Sequence, residues 1–159
     1  MSVLIGDLGS VTQRPVCSSH PSVNRTDLQL LAETRLDEAQ ALLKASRWSG
    51  AYYLVGYAVE CAFKACIAKS TKQDDFPVKA QVIASHTHDL AQLVRVAGLL
   101  ADLQTESNQD PLFSGYWGVV SQWNEESRYK LWTEPDAMQL VQAVTDGDHG
   151  VMRWLRTKW

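Results

Sequence analysis

Residues Trp48 to Lys69 read WSGAYYLVGYAVECAFKACIAK, an apolar run broken by three charges, Glu60, Lys64 and Lys69. Leu54, Ala58, Cys61, Ala62, Ala65 and Cys66 recur at steps of three and four, with Val55, Val59, Phe63 and Ile67 beside them. The period is helical, and apolar surface covers well over half of the cylinder. Such a helix belongs at the centre of an all-α fold. One stripe has polar ends: Tyr53, Tyr57, Glu60 and Lys64 repeat at the same spacing, with Glu60 one turn before Lys64 in the favourable order for an ion pair. Small residues, Gly50, Gly56, Ala58 and Ala62 among them, leave places where neighbouring helices approach closely.

Around this helix the chain has 159 residues, 45% of them apolar, and a formal charge of -3. That is enough for one domain with a proper core, and no second composition regime divides it. The absence of a global basic field excludes a protein that coats DNA by charge alone but leaves room for a local basic patch. Cys17, Cys61 and Cys66 are odd in number, and the last two stand five residues apart, a spacing of neither a zinc pair nor a redox CxxC. They read as small core fillers in a reduced cytoplasm. Glu60 and Lys64 interrupt the apolar run short of a membrane span, and the opening MSVLIGDLGS lacks the basic and apolar regions of a signal peptide. The expectation is a cytoplasmic protein without a membrane partner.

In chain order, residues 1–25 mix Gly, Ser, Pro and Val without a period, and Pro15 and Pro21 would interrupt a helix, which predicts a loosely docked arm. A single helical domain is expected over 26–159. Thr26 and Asp27 offer a cap for a first amphipathic helix with a stripe of Leu28, Leu31, Ala32, Leu36, Ala39, Leu42 and Leu43. Ser46, Arg47 and Ser49-Gly50 make a short return into the central helix, an antiparallel helical hairpin. After a long link, Thr87 caps a third helix through Leu90, Leu93, Val94, Ala97 and Leu100 to about Leu103, which polar residues 104–110 end. Asp110-Pro111 opens a fourth, lined by Leu112, Phe113, Tyr116, Val120 and Trp123. Thr133-Glu-Pro-Asp136 starts a fifth, whose stripe of Leu140, Val144, Gly147, Val151 and Trp154 passes straight through TDGDHG, with Gly147 against a neighbour; a break there is the main alternative.

Few side-chain groupings carry chemistry. His86 and His88 lack a third or fourth ligand, and Asp146-Gly-Asp148-His149 lacks the terminal Glu of a calcium loop and reads as a solvated helix face, so no metal is expected. No nucleophile with a supporting base and no phosphate loop after a strand is present, so no catalytic residue and no cofactor is assigned. Ser127-Arg128-Tyr129 pairs a planar cation with an aromatic ring, a combination that grips a phosphate and a base, with Lys130 as a second charge. The structural alternative has Arg128 paired with Glu125 or Glu60 and Tyr129 packed at a helix end.

Three blocks in this order, AQALLKASRWSGAYYLVGYAVECAFKACIAK, SHTHDLAQLV and ESRY before a last helix, resemble a HEPN domain, the all-α domain of many prokaryotic defence and toxin–antitoxin systems. The resemblance covers roughly residues 28–156. It implies an antiparallel bundle of four to five helices, frequent homodimers, association with RNA or nucleotides, and often a minimal nucleotidyltransferase as partner protein. Nuclease members carry an Arg followed a turn or more later by a His. Here Arg128 has no such His, the next being His149, while Arg14 and His20 keep the spacing only within the arm. The resemblance carries over Glu60, His88, Asp89 and Arg128-Tyr129. The expected site is a cleft joining Arg128, Tyr129, Glu60, Lys64, Tyr57 and His88. Its expected function is a non-catalytic binding module for a nucleotide, RNA or partner protein. The alternatives are a metal-independent ribonuclease in which His88 or His149 serves Arg128, and a purely structural subunit.

Overall fold

The computed structural model describes residues 23–71 and 83–159, and the regular structure among them is helical throughout. Most of the expected N-terminal arm, with Arg14, Cys17 and His20, lies outside the described residues, as does most of the long link before the third helix. Where four or five helices are predicted, the described residues include, besides helical residues at 83–85, seven α-helices and a 3₁₀ turn. These are α1 (Arg25–Lys44), α2 (Trp48–Ser70), α3 (Leu90–Val96), α4 (Leu100–Gln109), α5 (Pro111–Val120), the turn Glu125–Tyr129, α6 (Glu134–Thr145) and α7 (Val151–Arg156).

The higher number comes from two breaks. The expected third helix splits into α3 and α4 at Gly98, whose φ of 72° is left-handed. There Leu99 N–H donates to Val94 O and Gly98 N–H to Arg95 O, both at 3.0 Å, the paired bonds that close a helix around one left-handed residue. Its cap is Asp89 rather than Thr87: Asp89 Oδ1 accepts from Ala91 N–H at 2.8 Å and Gln92 N–H at 3.1 Å, while Thr87 Oγ1 only accepts from Asp89 N–H. α4 then runs on through the polar residues expected to end it and stops at Asp110, which opens α5 as expected by accepting from Leu112 and Phe113 N–H at 3.0 Å.

The second break falls in the expected last helix. Asp146 Oδ1 accepts from Asp148 N–H at 3.0 Å and His149 N–H at 2.8 Å, a local turn that competes with the helix, so TDGDHG is a corner and not a solvated helix face. The close glycine is Gly150, where a Cβ would meet Asp146 O at 2.3 Å; at Gly147, expected to face a neighbour, it would meet nothing within 4 Å. Two further caps are local. Asn24 caps α1 by a reciprocal pair of 3.1 Å bonds with Asp27, two residues before the expected Thr26. Thr133 and Asp136 form the expected box at α6. α1 stops at Ser46, left-handed at φ 58°, with Arg47 N–H bonded to Leu42 O at 2.9 Å.

α2 is the hub. It packs against α1, α3, α6, α7 and the 3₁₀ turn, and one cluster of buried side chains draws on each of the seven α-helices. Phe63 lies edge-on to Trp117 and Trp154 at centroid separations of 5.9 and 6.4 Å, and Phe113 sits 5.6 Å from Trp154. Burial pushes the Cys61 and Cys66 thiols up to about 11, in keeping with core fillers. The last turns of the chain pair with acids: Arg156 holds Glu33 of α1 by two 2.7 Å bonds, Lys158 holds Asp102 at 3.0 Å, and Arg153 binds Glu106. By length and mean hydropathy, 23 residues with a window at 1.2, α2 reaches the range of a membrane span despite Glu60 and Lys64; 67% of that window is buried against the rest of the protein.

Gly56 is where α2 admits a large neighbour, since a Cβ there would come within 2.3 Å of the Trp123 ring, itself 1% exposed. Gly56→Ala therefore lowers the unfolding free energy by about 1–3 kcal/mol through overpacking, against a helix-propensity gain of about 1 kcal/mol. Gly147→Ala, in open space, stays within about 0.5 kcal/mol. Urea titrations of the two variants check the contrast.

Candidate functional site

Glu60 is the centre of the polar stripe, and it is 1% exposed. Three turns of α2 precede it and ten residues follow, so its carboxylate enters the core on the most heavily covered helix of the fold. Its Oε1 accepts from Lys64 Nζ at 2.8 Å, the helical pair expected from spacing, and lies 2.9 Å from His88 Nδ1 on the segment that leads into α3. A carboxylate only accepts, so Nδ1 carries the proton in that bond and Nε2 faces away. Glu60 Oε2 is buried with no hydrogen-bond partner among the described residues.

Beside this centre a cleft of about 450 Å³ lies between α1 and α2. Leu28 and Leu31 of α1 form one wall, Tyr57, Glu60, Lys64 and Ile67 of α2 the other, and His86 reaches it from the link before α3. Burial, then the neighbouring Cys61 and Glu60, raises the Tyr57 phenol above its ordinary value. Arg35 of α1 pairs with Glu38 and leaves its Nε buried without a hydrogen-bond partner among the described residues. The apolar wall was within reach of the sequence, because Leu28 and Leu31 stand on the expected stripe; His86 was not, since no period marks the link.

Arg128 and Tyr129 do not join this cleft. Their turn meets α2 at Tyr53, seven residues before Glu60, which is about 10 Å along the helix axis. Tyr129, ahead of Tyr53, holds the Arg128 guanidinium pKa above its ordinary value, and the guanidinium sits 4.8 Å from the Tyr129 ring centroid. Among the described residues Arg128 has no ion pair, with Glu125, Glu60 or any other acid, and Tyr129 is 73% exposed rather than packed at a helix end. The two halves share only the face of α2, along which Tyr53 stacks on Tyr57 at 6.2 Å. The expected single cleft is therefore two places: Tyr57, Glu60, Lys64 and His88 at one, Arg128 and Tyr129 at the other.

Neither candidate histidine stands by Arg128. His88 is bound to Glu60, and His149 Nδ1 lies 2.7 Å from Asp110 Oδ2 at the opposite end of α5 from Trp123. The ten residues of α5 put about 15 Å between those ends. The His149–Asp110 bond was not legible in the sequence, since the partners are 39 residues apart on different elements. It is the main cause that raises the His149 pKa; for Asp110, the Phe113 N–H comes first and His149 second in lowering the carboxyl below its ordinary value. Among the described residues no group of three or more His, Cys, Asp or Glu is placed to hold a metal ion.

Two outcomes follow from these pairs. Lys64→Met strands the buried Glu60 charge and destabilises by about 2–4 kcal/mol, below the fully buried case because Lys64 is partly exposed. The double variant Glu60→Leu with Lys64→Leu recovers most of that loss, which denaturant titration reads directly. His149, with its pKa raised on folding, contributes stability that is whole below the ordinary histidine value of about 6.5 and is lost as pH rises through the folded value. The excess melting temperature of wild type over His149→Gln therefore shrinks as pH rises above about 6.5.

Compared with known proteins, the chain matches no family model, no curated protein and no solved structure.

Proposed function

We propose that the chain is a non-catalytic binding module of the HEPN kind, its helices arranged as an antiparallel bundle, and that its working surface is the ridge Arg128–Leu131, which engages a partner protein. The observation that carries the reading is exposure without disorder of position: Tyr129 is 73% and Leu131 96% exposed, yet both stand between anchored neighbours. On one side Ser127 is buried, and on the other Trp132 stacks on Tyr52 at 3.6 Å and 10°. Trp132 also donates its Nε1–H to Ser127 O at 3.1 Å and its backbone N–H to Ser49 Oγ at 2.9 Å.

Composition favours protein over RNA as the occupant. Tyr and Arg are the residue types that dominate the energetics of protein interfaces, and a leucine held in water is best relieved by an apolar counterpart. Strand binding draws its affinity from neutralised phosphates, whereas residues 125–136 hold four carboxylates, Glu125, Glu126, Glu134 and Asp136, against Arg128 and Lys130. A cavity of about 390 Å³ beside the ridge, lined by Tyr52, Gln122, Lys130, Trp132, Asp136 and Gln139 among others, offers a place for a partner's side chain. No observation favours the ribonuclease alternative, which needs a histidine beside Arg128.

A photo-crosslinking residue at position 131 in the cells that make the protein is expected to trap one defined protein of different sequence. That protein, once purified, binds the chain, and Tyr129→Ala or Leu131→Ser each weaken binding about tenfold or more, or about 1.4 kcal/mol, with the circular dichroism spectrum unchanged. An adduct with RNA, an adduct with a second copy of the chain, or binding indifferent to both substitutions would overturn the reading.

A further inference from the structure

α4 is lightly rooted in the fold. Of its ten residues only Leu103 is buried, whereas four of the six in α7 are. It begins just past the left-handed Gly98 and ends at Asp110, so both of its junctions are breaks in helix geometry. It packs chiefly on α3 and α5. Along one flank, a hollow of about 250 Å³ is lined by its own Leu100, Leu103, Gln104, Ser107 and Asn108. What ties the opposite flank is charge. Asp102, Glu106 and Asp110 recur every four residues and stand one above another on a single face. Each holds a base from α7 or its flanks, in reverse chain order: Asp102 holds Lys158 Nζ at 3.0 Å, Glu106 holds Arg153, and Asp110 holds His149 Nδ1 at 2.7 Å. Every charged residue of α4 is an acid, and every ionisable side chain from 149 to 158 is a base.

We propose that α4 is a strap, held shut against α7 by this ladder of three pairs and released as a unit when ionic strength or pH rises. All three rungs keep part of their surface in water, where salt screens them. Each such pair favours the shut form by on the order of two- to threefold, and three together by about tenfold. One rung titrates near neutrality. His149 faces Asp110 at the junction of α4 and α5, Asp146 and Asp148 of its own corner and, through Asp146, the Tyr116 hydroxyl of α5. The pair of Arg153 and Glu106 stands one turn further along. Carboxylates prevail among these neighbours and hold the proton on the imidazole, so the rung keeps its charge at low pH and loses it as pH rises above about 6.5. Release brings Leu103 out beside Leu100 and Leu112, already 49% and 48% exposed. The open strap thus displays an apolar surface that the shut one withholds.

Amide hydrogen exchange of the full chain, read residue by residue as protection factors, tests the strap. Between about 0.02 M and about 0.5 M sodium chloride at fixed pH, protection at residues 104–109 is expected to fall together by about fivefold or more, while residues 59–63 of α2 keep theirs. Glu106→Arg and Arg153→Glu each lower protection at 104–109 by about tenfold at low salt, and the two combined restore it to within about twofold. Raising the pH above about 6.5 loosens the wild-type strap further, and His149→Gln removes that response. Protection at 104–109 that ignores salt, or that falls only together with 59–63, would overturn the proposal. So would a swapped pair no better protected than either single variant, or a pH response that His149→Gln leaves intact. If a charge reversal fails to fold, the wild-type salt series decides alone.

Discussion

A helix with apolar surface on nearly all sides has to be covered on nearly all sides, and α2 makes that demand of α1, α3, α6, α7 and the 3₁₀ turn. Val55, Val59 and Phe63 are fully buried on it, and each contributes roughly 1.5–3 kcal/mol. Through the same cover passes the Glu60 carboxylate, whose removal from water costs several kcal/mol before any partner is counted. Lys64 and His88 offset that cost from two directions, one on α2 itself and one on the segment entering α3. Such a pair adds little net stability. What it does is fix how that segment meets α2, because only one approach satisfies both bonds to a single oxygen.

The segregation of the polar groups follows from the same demand. Tyr53, Tyr57, Glu60 and Lys64 share one face of a rigid cylinder, so groups that meet it at different heights stay apart. The 3₁₀ turn that carries Arg128 meets α2 near Tyr53, and the approach to α3 meets it near Glu60. The contact between Arg128 and Tyr129 lies within the turn and exerts no pull toward Glu60, whereas the stack of Trp132 on Tyr52 ties the chain just after it to α2. The ridge and the cleft are thus independent surfaces of one core helix.

What was legible in the sequence is what is decided within four residues. The box of Thr133 with Asp136, the Asp110-Pro111 start and the Glu60–Lys64 pair all depend on neighbours one turn away. The reciprocal pair of Asn24 and Asp27 is equally local, and Thr26 hid it only by offering a competing hydroxyl. The breaks at Gly98 and at Asp146 were obscured because apolar residues keep helical spacing across both, and a period carries no record of one residue that turns left-handed or of a carboxylate that bonds two N–H groups ahead. Height along α2 is not periodic at all. That Arg128 and Glu60 would face the same helix could be read; that seven residues would separate their landing points could not. The exposure of Leu131 likewise depends on what Trp132 does, and that was set by a stack with Tyr52 formed across the fold.

The place of α2 in the chain carries a further consequence, for synthesis rather than stability. Its covers α6 and α7 begin at Glu134 and Val151, long after Ser70. At about 5–20 residues per second a ribosome needs roughly 3–16 s to make that stretch, while apolar collapse of a short chain takes about a microsecond. During that interval α2, the longest helix, has α1 as its chief neighbour. The three-residue turn at Ser46, which brings α1 onto α2 at once, is thus the nascent chain's first protection against aggregation.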